Sequence, residues 1–170
     1  MAAAPVSKEN ILVGAGKLFQ KTGADTWREL GGTEDGTEIS LPKEFHDVKA
    51  AEAPVTLRKE LTDMKGMVSF NMLEATLDNY LLAAGQGAIA PAGTLTVGTD
   101  GTVKEEGFKL VCTGPSGKVR TYTFLRAVAT GTAATRRTKG ANASIAAEFE
   151  LLATWNTVTN RWDFFTVVDV

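Results

Sequence analysis

Apolar and polar residues alternate along most of this chain, and one stretch changes rhythm midway. Val68, Phe70 and Met72 alternate with Ser69 and Asn71, the period of two expected of a strand with one buried face. Leu73, Leu77, Tyr80, Leu81 and Ala84 then fall at helical spacing, and Gly85 stands where a helix ends. The pattern predicts a strand running directly into one short helix over about 74–84.

Nearly everything else reads as strand and turn. Asn10 to Gln20, apolar with Gly14 and Gly16, predicts a strand that bends or bulges, and Trp27 to Leu30 a second short one. Glu34-Asp35-Gly36 predicts a tight turn from which Thr37 to Ser40 pairs back, and Glu44 to Lys49 a weakly patterned strand. Thr94 to Val97 reads as a strand in a Gly- and Ala-rich region. Gly107 to Thr113 and Lys118 to Val128 predict a hairpin turning at Gly114 to Gly117, and Ile145 to Trp155 with Arg161 to Val168 a closing one. Alternation puts Tyr122, Phe124, Phe149 and Leu151 in the core with Val68, Phe70 and Met72, and turns Thr121, Thr123, Glu148, Glu150, Ser69 and Asn71 the other way. Residues 1–9 read as an arm ordered only by a partner.

Ala50 to Lys65 stands apart. It lies between two strand-like runs yet is far longer than the usual hairpin loop of about 2–5 residues. It mixes apolar Val55, Leu57 and Leu61 with Arg58, Lys59, Glu60 and Asp63, a composition suited to docking on a partner.

At 170 residues and 44% hydrophobic, the chain is expected to form one domain. A net charge of -2 lacks the basic excess of a general nucleic-acid binder. Cys112 is the only cysteine and His46 the only histidine, so an internal disulfide is impossible and zinc sites built from Cys and His clusters are out of reach. No signal peptide and no membrane-length apolar run is visible.

The candidate chemistry is thin. Gly14-Ala15-Gly16 lacks the rest of a dinucleotide fingerprint, and Gly114 to Lys118 has Cys112 and Val119 where a phosphate loop needs glycine and a hydroxyl. His46 has no associated nucleophile, and Glu148 and Glu150 share one strand face with no opposing carboxylate. Arg136, Arg137 and Lys139 lack interleaved aromatics and read as solvated surface. No catalytic, cofactor or metal site is expected, and an enzyme is not.

The order WRELGGTEDG, EFHDVKA, APVTLRKELTDMKG and VSFNMLEATLDNYLLAAG, over Trp27 to Gly85, resembles the tail tube (major tail) proteins of long-tailed bacteriophages. The resemblance implies a mainly β fold, two antiparallel sheets forming a sandwich or half-open barrel flanked by the helix, assembling into hexameric rings that stack into a hollow tube. Partners would be further copies of the chain, the tape-measure protein, and tail-tip and terminator proteins. DNA would pass through the lumen without specific binding, and no membrane is involved. Location would be the virion, with assembly in the host cytoplasm. Similar subunits form the inner tubes of contractile tails and of the type VI secretion system, and a small-molecule-binding β-barrel is the alternative from another class.

On this reading the 50–65 loop contacts the next ring. A lumen that conducts DNA must not hold phosphates, so its face should be neutral or acidic. Glu148 and Glu150 are the foremost lumen candidates, then Thr121, Thr123, Ser69 and Asn71.

Overall fold

The computed structural model describes residues 16–49, 56–98, 102–114, 117–131, 134–136 and 143–170. The fold is mainly β, with fifteen antiparallel strands and one helix among these residues. A nine-stranded sheet contains β1 (Lys17–Lys21), β2 (Trp27–Glu29), β3 (Thr33–Ser40), β6 (Gly66–Met72), β9 (Glu105–Thr113), β10 (Val119–Ala129), β11 (Ala134–Arg136), β12 (Ser144–Leu151) and β15 (Thr166–Asp169). Three separate two-stranded pairs complete the set: β4 (Lys43–Lys49) with β5 (Thr56–Met64), β7 (Ala88–Ala90) with β8 (Thr94–Thr96), and β13 (Thr154–Asn156) with β14 (Arg161–Asp163).

The large sheet runs β2-β1-β9-β10-β12-β6-β3, and its two ends are consecutive in sequence. Only residues 30–32 join β2 to β3, a link spanning at most about 14 Å, whereas seven strands laid flat measure about 29 Å across. The sheet must therefore curl. It folds at β10, whose register shifts between Phe124 and Ala127. Before the shift, the edge of β10 away from β9 pairs with β15; after it, the same edge pairs with β12. The first half of β12 pairs instead with β11. Two limbs result, β2-β1-β9-β10-β15 and β3-β6-β12-β11, closed on one side by the 30–32 link. That is a half-open barrel made of two facing sheets.

Alternation fills the space between the limbs. Leu18, Val68, Met72, Phe108, Phe124, Ile145 and Phe149 are fully buried, and Phe70, Leu110 and Leu151 nearly so. Tyr122 packs against this core half-buried rather than within it. Buried Glu106, on β9, is ion-paired with Lys104 at 2.6 Å and accepts a hydrogen bond of 2.9 Å from Gln20, whose own carbonyl accepts from Arg28.

The helix, α1, is Leu77–Ala84, three residues shorter at its start than the periodicity predicts. Thr76 caps it: its hydroxyl accepts from the Asn79 N–H, which fixes the first turn after Leu73 and Glu74 rather than at them. Gly85, at φ +68°, ends it, and its N–H donates to the carbonyls of Leu81 and Leu82. Asn79 also holds the helix to the barrel through the carbonyls of Leu30 and Glu74.

Several sequence expectations need correction. The stretch 50–65 is not a long loop: Thr56–Met64 is strand β5, paired along its length with β4, and residues 50–55 lie outside the described residues. Charges at neighbouring positions hid its strand character, because neither face is buried and period two leaves no apolar trace. Glu34-Asp35-Gly36 is not a hairpin turn. β3 passes through it as one strand whose register against β6 slips between Glu34 and Thr37, with Gly36 at φ +84° forming the bulge. The closing hairpin is only β13–β14, because at Leu152 the chain turns aside, its N–H donating to the Arg126 carbonyl. β11, inside an expected loop, and β7 were not anticipated. Of the stretch from Asn10 to Gln20, residues 10–15 and the 1–9 arm lie outside the described residues.

Candidate functional site

Two surfaces stand out. The first is the outer face of β3-β6-β12. Register aligns Glu38, Ser69 and Glu148 in one row across three strands and Glu34, Asn71 and Ala146 in another. Together with Gly36 these residues line a shallow groove of about 260 Å³. Glu34, Glu38 and Glu148 are all exposed. Glu150, half-buried, lies two positions along β12 beside Met67 and Val128, on the same face. Of the six lumen candidates, Ser69, Asn71, Glu148 and Glu150 thus share one polar, acidic face.

Thr121 and Thr123 do not join them. They lie on the other limb, in register with Val111 and Lys109 of β9 and with Val168 and Thr166 of β15. That face is cationic and aromatic: the Lys109 ammonium sits 4.7 Å from the Trp27 ring centre and 5.2 Å from that of Phe19. Alternation puts both sets outside the barrel, but the fold at β10 points them in different directions. Glu34 and Glu38 complete the acidic face and were missed, although the run TEDGTE was the signal available for them.

The second surface is the β4–β5 hairpin. Phe45 and Leu61 are cross-strand partners and remain 52% and 53% exposed. Around them, Arg58 pairs with Glu60, and Lys59 with Asp47 at 3.7 Å. The Thr62 hydroxyl donates to the Glu44 carbonyl, and Thr56 to Asp47. Such exposed pairs are worth little each. Among the described residues β4 and β5 pack mainly on each other, with no extensive contact to another element. Of the candidate loop residues, Arg58, Lys59, Glu60, Leu61 and Asp63 are exposed on this hairpin; Leu57 lies on its strand and Val55 outside the described residues.

The remaining motifs resolve into structure. Gly114 and Lys118 close their turn with a 2.8 Å hydrogen bond from the Gly114 N–H to the Lys118 carbonyl, and Gly117 sits at φ +80°. Gly16 lies so close to Leu110 that an added Cβ would come within 2.6 Å of its Cδ1. His46, on the exposed hairpin, faces Glu60 in register. Burial pushes the half-buried Cys112 thiol up, against the opposing pull of Arg120, which makes it a poor nucleophile. Among the described residues no group of three or more His, Cys, Asp or Glu is placed to hold a metal, and no helix is long and apolar enough to cross a membrane.

No protein-family model matches this chain, and no curated protein matches it at a significant level.

Proposed function

We propose that this chain is a structural subunit that forms hexameric rings stacking into a hollow tube, the tail tube through which a long-tailed phage delivers its genome. The observation that carries the reading is the β4–β5 hairpin. A lone two-stranded hairpin is marginal in water, and this one presents Phe45 and Leu61 to solvent with no extensive packing on another element among the described residues. A neighbouring subunit supplies the missing cover, which assigns the hairpin to contact between successive rings.

The acidic face of β3-β6-β12 fits the lumen. Glu34, Glu38 and Glu148 repel a passing phosphate backbone, while the Lys109 face would retain it. The subunit does no chemistry on this reading; it supplies shape, edges and charge. Tape-measure, tail-tip and terminator proteins are then its other partners, and the virion its location. The barrel interior weighs against a small-molecule carrier, since Phe70, Phe108 and Phe149 fill it with ring centres 4.6–5.9 Å apart.

Size-exclusion chromatography with negative-stain imaging tests the proposal. Rings or tubes are expected as concentration rises. A species that stays monomeric throughout, even with an initiating tail-tip complex added, overturns it.

A further inference from the structure

The β13–β14 hairpin forms a pair of its own beside the large sheet. Phe164 and Phe165, which follow β14, pack against the core, and the Phe165 ring centre lies 5.5 Å from that of Phe124. They fix the hairpin against the barrel, and a cleft of about 230 Å³ opens between it and the outer face of β10. Sites for drug-sized ligands run to about 300–1,000 Å³, so this cleft suits one small ring. On the sheet side it is lined by Thr123 and Thr166, which are cross-strand partners, and by exposed Leu125. Trp155, Asn156 and Asp163 line the hairpin side.

The polar wall is built in advance. Asn156 Oδ1 accepts from the N–H groups of Val158 and Thr159 at 3.0 and 3.2 Å, and its Nδ2 donates to Asp163 at 2.7 Å. Asp163 also accepts from Arg161 at 2.6 Å and from Thr159, and these bonds keep its carboxyl below the usual carboxylate range. A carboxylate has about four acceptor positions, so one remains, beside the second N–H of the Asn156 amide. Thr123 and Thr166 add hydroxyls that can donate and accept. Trp155, 46% exposed, and Phe165 supply aromatic surface, whose negative ring faces attract weakly positive C–H groups. A ligand with hydroxyls spaced around its edge and C–H groups on its face meets both demands. The Asp163 charge disfavours an anion, and its pairing with Arg161 leaves no free charge to hold a cation.

We propose that this cleft binds one ring of a neutral pyranose sugar, with a C–H face of the sugar on Trp155 and its hydroxyls bonded to Asp163, Asn156, Thr123 and Thr166. The proposal goes beyond the tube reading and does not depend on it, because every group named belongs to a single copy of the chain. The hairpin's turn and its phenylalanine anchors hold the polar groups before the sugar arrives, so little ordering is left to be done on binding.

Titration of the full chain with glucose, galactose and mannose up to about 100 mM, read by tryptophan fluorescence and saturation-transfer NMR, tests it. At least one of the three should saturate with a Kd of about 1–10 mM. The matching uronic acid should bind at least about tenfold more weakly, because its carboxylate meets that of Asp163. Trp155→Ala should weaken binding about tenfold and Thr123→Val about fivefold, with circular dichroism verifying the fold of each. Should Trp155→Ala disturb the hairpin, Thr123→Val still decides, because it keeps the side-chain shape on a sheet position. No saturation by any of the three sugars, a uronic acid that binds as tightly as its neutral parent, or wild-type affinity in Thr123→Val overturns the proposal. Each of those results leaves the tube reading standing, and a failure to form rings leaves the sugar titration as it is.

Discussion

Phe108 on β9 and Phe149 on β12 meet with ring centres 4.6 Å apart, although β10 lies between their strands in the sheet. In a flat sheet two strands apart means about 10 Å. Phe70, on β6 and three strands from β9, still comes within 5.9 Å of Phe108. These rings close the curled sheet on itself and stack in the gap where the two limbs face each other.

Truncating the centre of this cluster should therefore cost more than one contact. Phe108→Ala removes a fully buried ring and leaves its partners on both limbs facing a void. The expected loss is about 3–5 kcal/mol, measured by urea unfolding of the monomer. A loss under about 1 kcal/mol would mean that the limbs are not held together here.

The hairpin substitution Phe45→Ser with Leu61→Ser should behave in the opposite way. Both side chains are half-exposed and outside the core cluster, so the unfolding free energy of the monomer should change by no more than about 0.5 kcal/mol. Stacking of rings should be lost. Because β5 is a strand, replacing residues 55–63 with a flexible linker also strips β4 of its partner, so the double substitution is the cleaner probe. Normal tubes from this variant would remove the hairpin from the inter-ring contact.

Reversing Glu148 and Glu150 to Lys puts cations on the face shared with Ser69 and Asn71. Tails built from this variant should assemble and then eject DNA more slowly, most clearly at low salt where screening is least. Lysine introduced instead at Thr121 and Thr123, on the limb that already carries Lys109, should leave ejection unchanged. Equal ejection rates for wild type and the glutamate variant would place the lumen elsewhere.

Acid should destabilise the fold through three carboxylates, of which Glu105 and Asp169 are exposed and Asp163 is half-buried. Asp169 is held below the usual carboxylate range by paired hydrogen bonds from Arg120, Glu105 by those from Arg126, and Asp163 by Asn156 and then Arg161. Each has a folded pKa below its unfolded one, so its contribution is present above the unfolded value near pH 4 and is lost as pH falls through the folded value. Asp169→Asn should flatten the fall of melting temperature below about pH 4. An acid limb as steep as that of wild type would show that the Arg120 pair does not carry it.

Thr76→Ala should cost about 1 kcal/mol by removing the cap on the Asn79 N–H. Thr76→Ser, which keeps the oxygen, should restore most of it. Both are read from thermal unfolding.

The chain's own sequence determined the strands that bury one face. Val68, Phe70 and Met72, Phe124, and Phe149 with Leu151 are core residues because period-two alternation needs no knowledge of neighbours. The helix was legible for the same reason, apart from its first turn, which depends on which hydroxyl captures an N–H. β5 left no such trace, because it carries charge at alternate and adjacent positions, and β11 is only three residues long. Pairing was also beyond the sequence. That β12 joins β6 and β10 instead of turning back on β15, that Glu106 is buried against Gln20, and that Glu148 shares a face with Glu38 while Thr121 does not are contacts between residues far apart in the chain. Alternation says only that a side chain points away from the core. The fold of the sheet at β10 decides what lies on that side, because each limb turns its outer face in its own direction.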